Sequence, residues 1–166
     1  FEFRLTPSGI PATEEDIYRT ITVGVLGTPM PPWKGRLAEN ERRLLARYVM
    51  TFSDRFWEPE AEVALPLDFP PEPPSGAASL ARGRELFRLM QCAQCHGDGP
   101  ASKTTKDDWG NPIRPYDLTL GYFQGGRGAK VVYRAFSTGL SGSPMPSYGD
   151  VLPPEQRWDL VHYVLS

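Results

Sequence analysis

The chain has 166 residues, with 18 Lys and Arg against 20 Asp and Glu and a formal net charge of -2. A balance so near neutral excludes the basic footprint of a nucleic-acid binder and the polybasic face that holds a protein to anionic lipid. No apolar run reaches the length needed to cross a bilayer, and no charged stretch followed by an apolar one reads as a leader. Eighteen prolines and sixteen glycines point to long ordered loops and a linker around a modest core.

In chain order, the first predicted helix runs over Thr13–Val23 with Thr13 as its cap, and a Pro-Met-Pro loop at Pro29, Met30 and Pro31 follows. A second helix, capped by Glu39 or Asn40, covers Glu41 to about Ser53 with Leu44, Leu45, Tyr48 and Val49 on one face. Glu58 to Gly76 then crowds six prolines into an acidic stretch, which prevents helix and favours a semi-rigid spacer. A third helix begins near Ser79, read as its cap, and carries Leu80, Gly83, Leu86, Phe87 and Met90 into Cys92-Ala93-Gln94-Cys95-His96. Loop residues fill Gly97 to Gly128. A helix at Ala129–Ser137 precedes a second Pro-Met-Pro loop at Pro144, Met145 and Pro146. The last helix starts at Pro153-Pro154-Glu155 and carries Trp158, Leu160, Val161, Tyr163 and Val164. No hairpin signal stands out, and the expected fold class is all-α.

Cys92 and Cys95 are the two cysteines of the chain, and His96 follows at once. Two thiols one helical turn apart can add to the two vinyl groups of one porphyrin, and the adjacent imidazole can reach the iron, so the motif reads as covalent attachment of haem c. A structural zinc site needs four protein ligands, and His162 is the single further histidine. A thioredoxin-like pair would sit beside a βαβ pattern that is not visible here. Haem is attached to cysteine on the exported side of a bacterial membrane, so the motif implies a periplasmic location.

The chain also repeats itself. At a constant offset of 115 residues Tyr18-Arg19 answers Tyr133-Arg134, Gly24 answers Gly139, and Gly27-Thr28-Pro29-Met30-Pro31 answers Gly142-Ser143-Pro144-Met145-Pro146. Trp33 pairs with Tyr148, Leu37 with Leu152, and Leu45, Tyr48 and Val49 with Leu160, Tyr163 and Val164. An ungapped match of this extent predicts two related units. The expected division is residues 1–57, a linker over 58–76, and residues 77–166.

Arg82-Gly83-Arg84-Glu85-Leu86-Phe87 leading into the Cys-x-x-Cys-His motif, the Met145 loop, and a final helix with Leu160 and Tyr163 together resemble a class I c-type cytochrome, over residues 77–166. The resemblance implies a small helical haem domain in which Gly83 and Phe87 on the first helix pack against Leu160 and Tyr163 on the last. A glycine inside a helix costs about 1 kcal/mol relative to alanine, and close approach of a crossing helix is a reason to keep one. The resemblance also implies Met145 as the second axial ligand. A thioether suits both oxidation states of iron and raises the potential relative to bis-histidine ligation, and flanking prolines stiffen its loop. Pro115 or its neighbour is expected to offer a carbonyl to the free N–H of His96. Trp109, Arg114 and Arg127 are candidates for haem-propionate contacts, with solvated surface as the alternative for the arginines. His162 is expected on the exposed side of the last helix, because its counterpart is Arg47.

The first unit has the methionine loop and the final helix but no Cys-x-x-Cys-His, whose counterpart falls about twenty residues before Phe1 on the repeat offset. The expectation is the C-terminal part of a di-haem cytochrome, with Met30 as axial ligand of a second haem attached upstream. A first domain that has lost its haem and serves in docking is the alternative. The functional expectation is outer-sphere electron transfer with redox partner proteins, between two haems of one molecule or as a subunit of a larger oxidoreductase. Six-coordinate iron leaves no vacant site, which argues for a carrier; a di-haem peroxidase and a haem domain with a haem-free docking module are the competing classes.

Overall fold

The computed structural model describes residues 4–6, 10–26, 28–58, 69–97, 104–107, 109–121, 123, 126, 128–141 and 143–166. Arg127, the motif glycines Gly27 and Gly142, and the linker prolines Pro59 and Pro66 lie outside them. The chain divides into two compact units, Phe1–Asp68 with Gln124–Gly126, and Phe69–Phe123 with Arg127–Ser166.

In the first unit, α1 (Glu14–Val23) starts at Thr13, whose hydroxyl accepts from the Asp16 N–H while the Asp16 carboxylate accepts from the Thr13 N–H, a reciprocal capping box. α2 (Glu39–Met50) takes neither expected cap, Glu39 or Asn40, and begins two residues before the expected Glu41. Its N-cap is Ala38, and Glu41 reaches back to accept from the Ala38 N–H at 2.7 Å. The two helices pack through Ala12, Ile17, Ile21 and Ala46, with Met30, Trp33, Val49 and Phe56 partly buried beside them. A further face of α2 stays open among the described residues: Leu44, Leu45, Tyr48 and Phe52 are exposed.

In the second unit, α3 (Ala77–Leu89) crosses α6 (Pro154–Val164), and α5 (Ala129–Thr138) lies against α6. The short α4 (Ala93–His96) follows α3 directly. The core comprises Phe87, Val132, Tyr133, Phe136, Leu152, Trp158, Leu160 and Val161, with Tyr133 stacked on Trp158 at 4.3 Å between ring centroids. Gly83 sits at the α3–α6 crossing. A Cβ there would strike the Asp159 carbonyl and come within 2.7 Å of the Tyr163 Cβ. Phe87 meets Tyr163 edge-on at 5.4 Å. The helix interior therefore tolerates glycine because two backbones touch.

Three further expectations change. A two-stranded antiparallel hairpin, β1 (Thr105–Lys106) with β2 (Pro112–Ile113), stands where no strand signal was visible. It lacks the usual two-residue turn. Asp107 builds the bend instead, its carboxylate accepting from the Trp109 and Asn111 N–H groups and from the Asn111 amide, with Gly110 at φ +85°. Ser79 is not a cap. Gly76 is the N-cap, and Ser79 is buried.

His162 is likewise buried, at 5 % exposure, rather than on the outer side of the last helix. The physical reason is a polar cluster. The Ser79 hydroxyl donates to Asp159 Oδ1 at 2.5 Å and lies 2.7 Å from His162 Nδ1. Arg82 clamps Asp159 with two hydrogen bonds, of 2.6 and 2.9 Å, and Glu72 approaches His162 Nε2 at 3.4 Å. Burial alone would raise the Asp159 carboxyl; the Arg82 guanidinium, the Ser79 hydroxyl and the charge of His162 outweigh it and hold it below the ordinary carboxylate value. A carboxyl depressed on folding stabilises the fold above its unfolded pKa, and that contribution is lost as pH falls through the lower, folded value. We expect Arg82→Gln to lower the melting temperature at neutral pH and the difference from wild type to shrink under acid. Thermal melts at pH 7 and pH 3 check this.

Candidate haem site

α3 ends in a turn made by Gln91, which takes φ +57°, so the chain re-enters helix at Cys92. The Cys92 carbonyl then accepts from the N–H groups of Cys95 (3.2 Å) and His96 (2.9 Å). This single turn displays both thiols and the imidazole from adjacent positions. Both cysteines are free thiols, Cys92 half-buried and Cys95 exposed, so the pair is not a disulfide. No cluster of three or more His, Cys, Asp or Glu able to hold a metal ion occurs among the described residues.

His96 Nδ1 lies 3.0 Å from the carbonyl oxygen of Tyr116, the residue after Pro115. A carbonyl only accepts, so Nδ1 carries a proton and Nε2 is the nitrogen that can be offered to a metal. Burial pushes the Cys92 thiol up, against a hydrogen bond from Tyr148 that pulls it down. The Tyr148 hydroxyl is pushed up to about 12 by burial and then by Cys92. Cys92, Ala93, Leu118, Phe123, Met145 and Tyr148 all pack half-buried on the same core, an apolar surface beside the two thiols. These residues fit a haem held by Cys92 and Cys95 with His96 on the iron, and the group would supply one-electron redox chemistry there.

The Met145 loop is built on the C-terminal end of α5. Gly139 takes φ +65°, where a Cβ would meet the Met145 and Pro146 backbone at 2.9 Å. Leu140 N–H donates to the Met145 carbonyl (3.2 Å), Met145 N–H to the Ser143 hydroxyl (3.2 Å), and Tyr148 N–H to the Phe136 carbonyl (2.8 Å). The Met30 loop repeats this bond for bond. Gly24 takes φ +70° against the Met30 carbonyl, Val25 N–H donates to Met30 (3.1 Å), Met30 N–H to Thr28 (3.2 Å), and Trp33 N–H to Ile21 (3.1 Å). Both methionines are half-buried against the core of their own unit.

Other candidates fall further out. Trp109 is 76 % exposed at the hairpin tip, Arg114 is exposed, and Pro115 is half-buried. Two residues escaped the sequence reading. Arg42 and Arg157, equivalent by the 115-residue offset, are buried at 6 % and 8 % exposure over the equivalent rings of Tyr18 and Tyr133. The signal was their identity at the repeat offset.

A helical fold with a free Cys-x-x-Cys-His turn, an oriented histidine and a proline-flanked methionine loop on the same core defines a c-type cytochrome, an electron-transfer protein with covalently bound haem c. Residues 78–164 match the family model for cytochrome c oxidase, cbb3-type, subunit III, and the chain belongs to that family. Over 96 residues, 53 % of its length, it is 33 % identical to the cbb3-type cytochrome c oxidase subunit FixP of Sinorhizobium medicae, and it spans 30 % of that relative. Among solved structures it resembles the Kuenenia stuttgartiensis reducing HAO-like protein complex Kustc0457/Kustc0458, with a TM-score of 0.87 and 38 % identity over 99 % of this chain and 76 % of that one. No helix among the described residues is long and apolar enough to cross a membrane.

Proposed function

We propose that the chain carries electrons through a haem c bound by Cys92 and Cys95 and ligated by His96 and Met145, on the exported, periplasmic side of a bacterial membrane. We further propose that Met30 completes a second haem site, so that the working molecule is a di-haem electron conduit serving a larger oxidoreductase. The observation that supports this most is the bond-for-bond match of the Met30 and Met145 loops, down to Gly24 and Gly139 at the same positive φ. A haem-free packing module has no need to aim a methionine this way. The open face of α2 points the same way. Leu45 is 39 % exposed, whereas its counterpart Leu160 is fully buried. A helix bearing its own haem-attachment turn would cover that face as the second unit's helices cover theirs. The relatives named as an oxidase subunit and as a reducing HAO-like protein complex agree with a role as an electron-transfer subunit.

Denaturing intact-mass analysis with a potentiometric titration of the native molecule tests this reading. Two covalent haems and a two-step titration are expected. One haem and a single step would leave Met30 without an iron and return the first unit to a docking role.

A further inference from the structure

The buried arginines are unexplained by haem attachment, and a buried charge is costly unless its hydrogen bonds do something specific. Neither Arg42 nor Arg157 pairs with a carboxylate among the described residues. Arg157 Nη1 donates to the Ser137 hydroxyl at 2.5 Å, and its guanidinium lies 5.0 Å from the centre of the Tyr133 ring. Ser137 is also where the methionine loop is tied down. Its carbonyl accepts from the Ser147 hydroxyl at 2.7 Å, two residues beyond Met145, and a Cβ on Gly149 would come within 2.6 Å of that same carbonyl.

The first unit reaches the same end by other bonds. Arg42 Nη1 donates to the carbonyls of Leu37 (2.7 Å) and Lys34 (3.3 Å), and Nη2 donates to the Tyr18 hydroxyl (3.2 Å). Lys34 N–H in turn donates to the carbonyl of Thr22, the counterpart of Ser137, at 3.2 Å. In both units a buried guanidinium, on α6 or on α2, bonds the preceding helix, whose end is bonded in turn to the segment after the methionine. Arg157 does so through Ser137, and Arg42 through Tyr18 and directly through the Lys34 and Leu37 carbonyls.

We propose that Arg157 is the positioning residue for Met145, and Arg42 its equivalent for Met30: each clamps its methionine loop to the helix pair so that the thioether stays on the iron. This rests on the methionine ligation proposed above. Without the clamp, the end of α5 and the loop would separate from α6, and the sulfur would leave the iron more often.

The test uses the haem-loaded protein and follows the sulfur-to-iron charge-transfer band of the ferric form, the midpoint potential, and the rate at which imidazole displaces the sixth ligand. Arg157→Met is expected to weaken the band, lower the potential, and speed imidazole binding on the order of tenfold, the scale of one charge-assisted hydrogen bond. Arg157→Lys, which keeps the charge but on a single nitrogen without the planar fork, should fall between. A merely structural arginine would lower the melting temperature and leave the imidazole rate where it was, and that result overturns the proposal. Should Arg157→Met fail to fold, Ser147→Ala cuts the loop side of the same connection; an unchanged imidazole rate in that variant overturns the proposal as well. A wild-type protein without the charge-transfer band would instead overturn methionine ligation itself, and the clamp with it.

Discussion

Gly83→Ala is expected to destabilise the second unit by about 3 kcal/mol, although the same change in an exposed helix would stabilise by about 1 kcal/mol. The reversal of sign is the informative part. At the α3–α6 crossing the added methyl would meet the Asp159 carbonyl and the Tyr163 Cβ, both fixed by helix geometry and unable to swing aside like a flexible side-chain end. Relief requires the helices to separate. That would strain the Phe87–Tyr163 ring pair and the clamp of Arg82 on Asp159 together. Denaturant titration followed by far-ultraviolet circular dichroism would measure the loss. Gly76→Ala, at a position with open space around its Cβ, serves as the control and should change stability far less. A gain in stability at Gly83 would mean that the helices do not cross in contact.

Met145→Leu is expected to leave the haem covalently attached while removing a neutral sulfur ligand from the iron. The change preserves apolar volume, so the core that Met145 joins should survive at a cost of less than about 1.5 kcal/mol. The midpoint potential of that haem should drop substantially, because thioether ligation favours the reduced state, and the ferric iron should then bind cyanide or imidazole readily. Met30→Leu provides the internal comparison. In a di-haem molecule it should produce the same changes in the other haem and leave the first unaffected, so the two variants lower different waves of one titration. If Met30→Leu alters neither wave, Met30 ligates no iron.

Much of this site was readable before any coordinates. Cys92, Cys95 and His96 fall within five residues, so the attachment motif needs no tertiary context to be read, and Gly83 is an anomaly in a helix for which close packing is a ready reason. The two methionine loops were legible because a local hydrogen-bond pattern needs a fixed spacing of glycine, hydroxyl and proline, and the repeat displayed that spacing twice. His162 was misread for the opposite reason. Its partners Ser79, Asp159 and Glu72 come largely from the other end of the unit, and its counterpart Arg47 lies outside, pairing with Glu14. The hairpin at residues 105–113 was hidden because Asp107 and Gly110 make its bend in place of a two-residue turn signal. Arg42 and Arg157 were visible as an identity in the repeat, but a charged residue on a helix reads as solvated until its surroundings are known.

The hydrogen bonds that shape the Met145 loop all join residues between Phe136 and Leu152, whereas the α3–α6 crossing joins the two ends of the unit. Closing a short loop loses less chain entropy than closing a long one, so contacts of low sequence separation form first. On that ground the methionine loop is expected to take shape before Gly83 meets Asp159. That order would leave Cys92 and Cys95 within reach of a reactant while the Met145 loop had already taken shape.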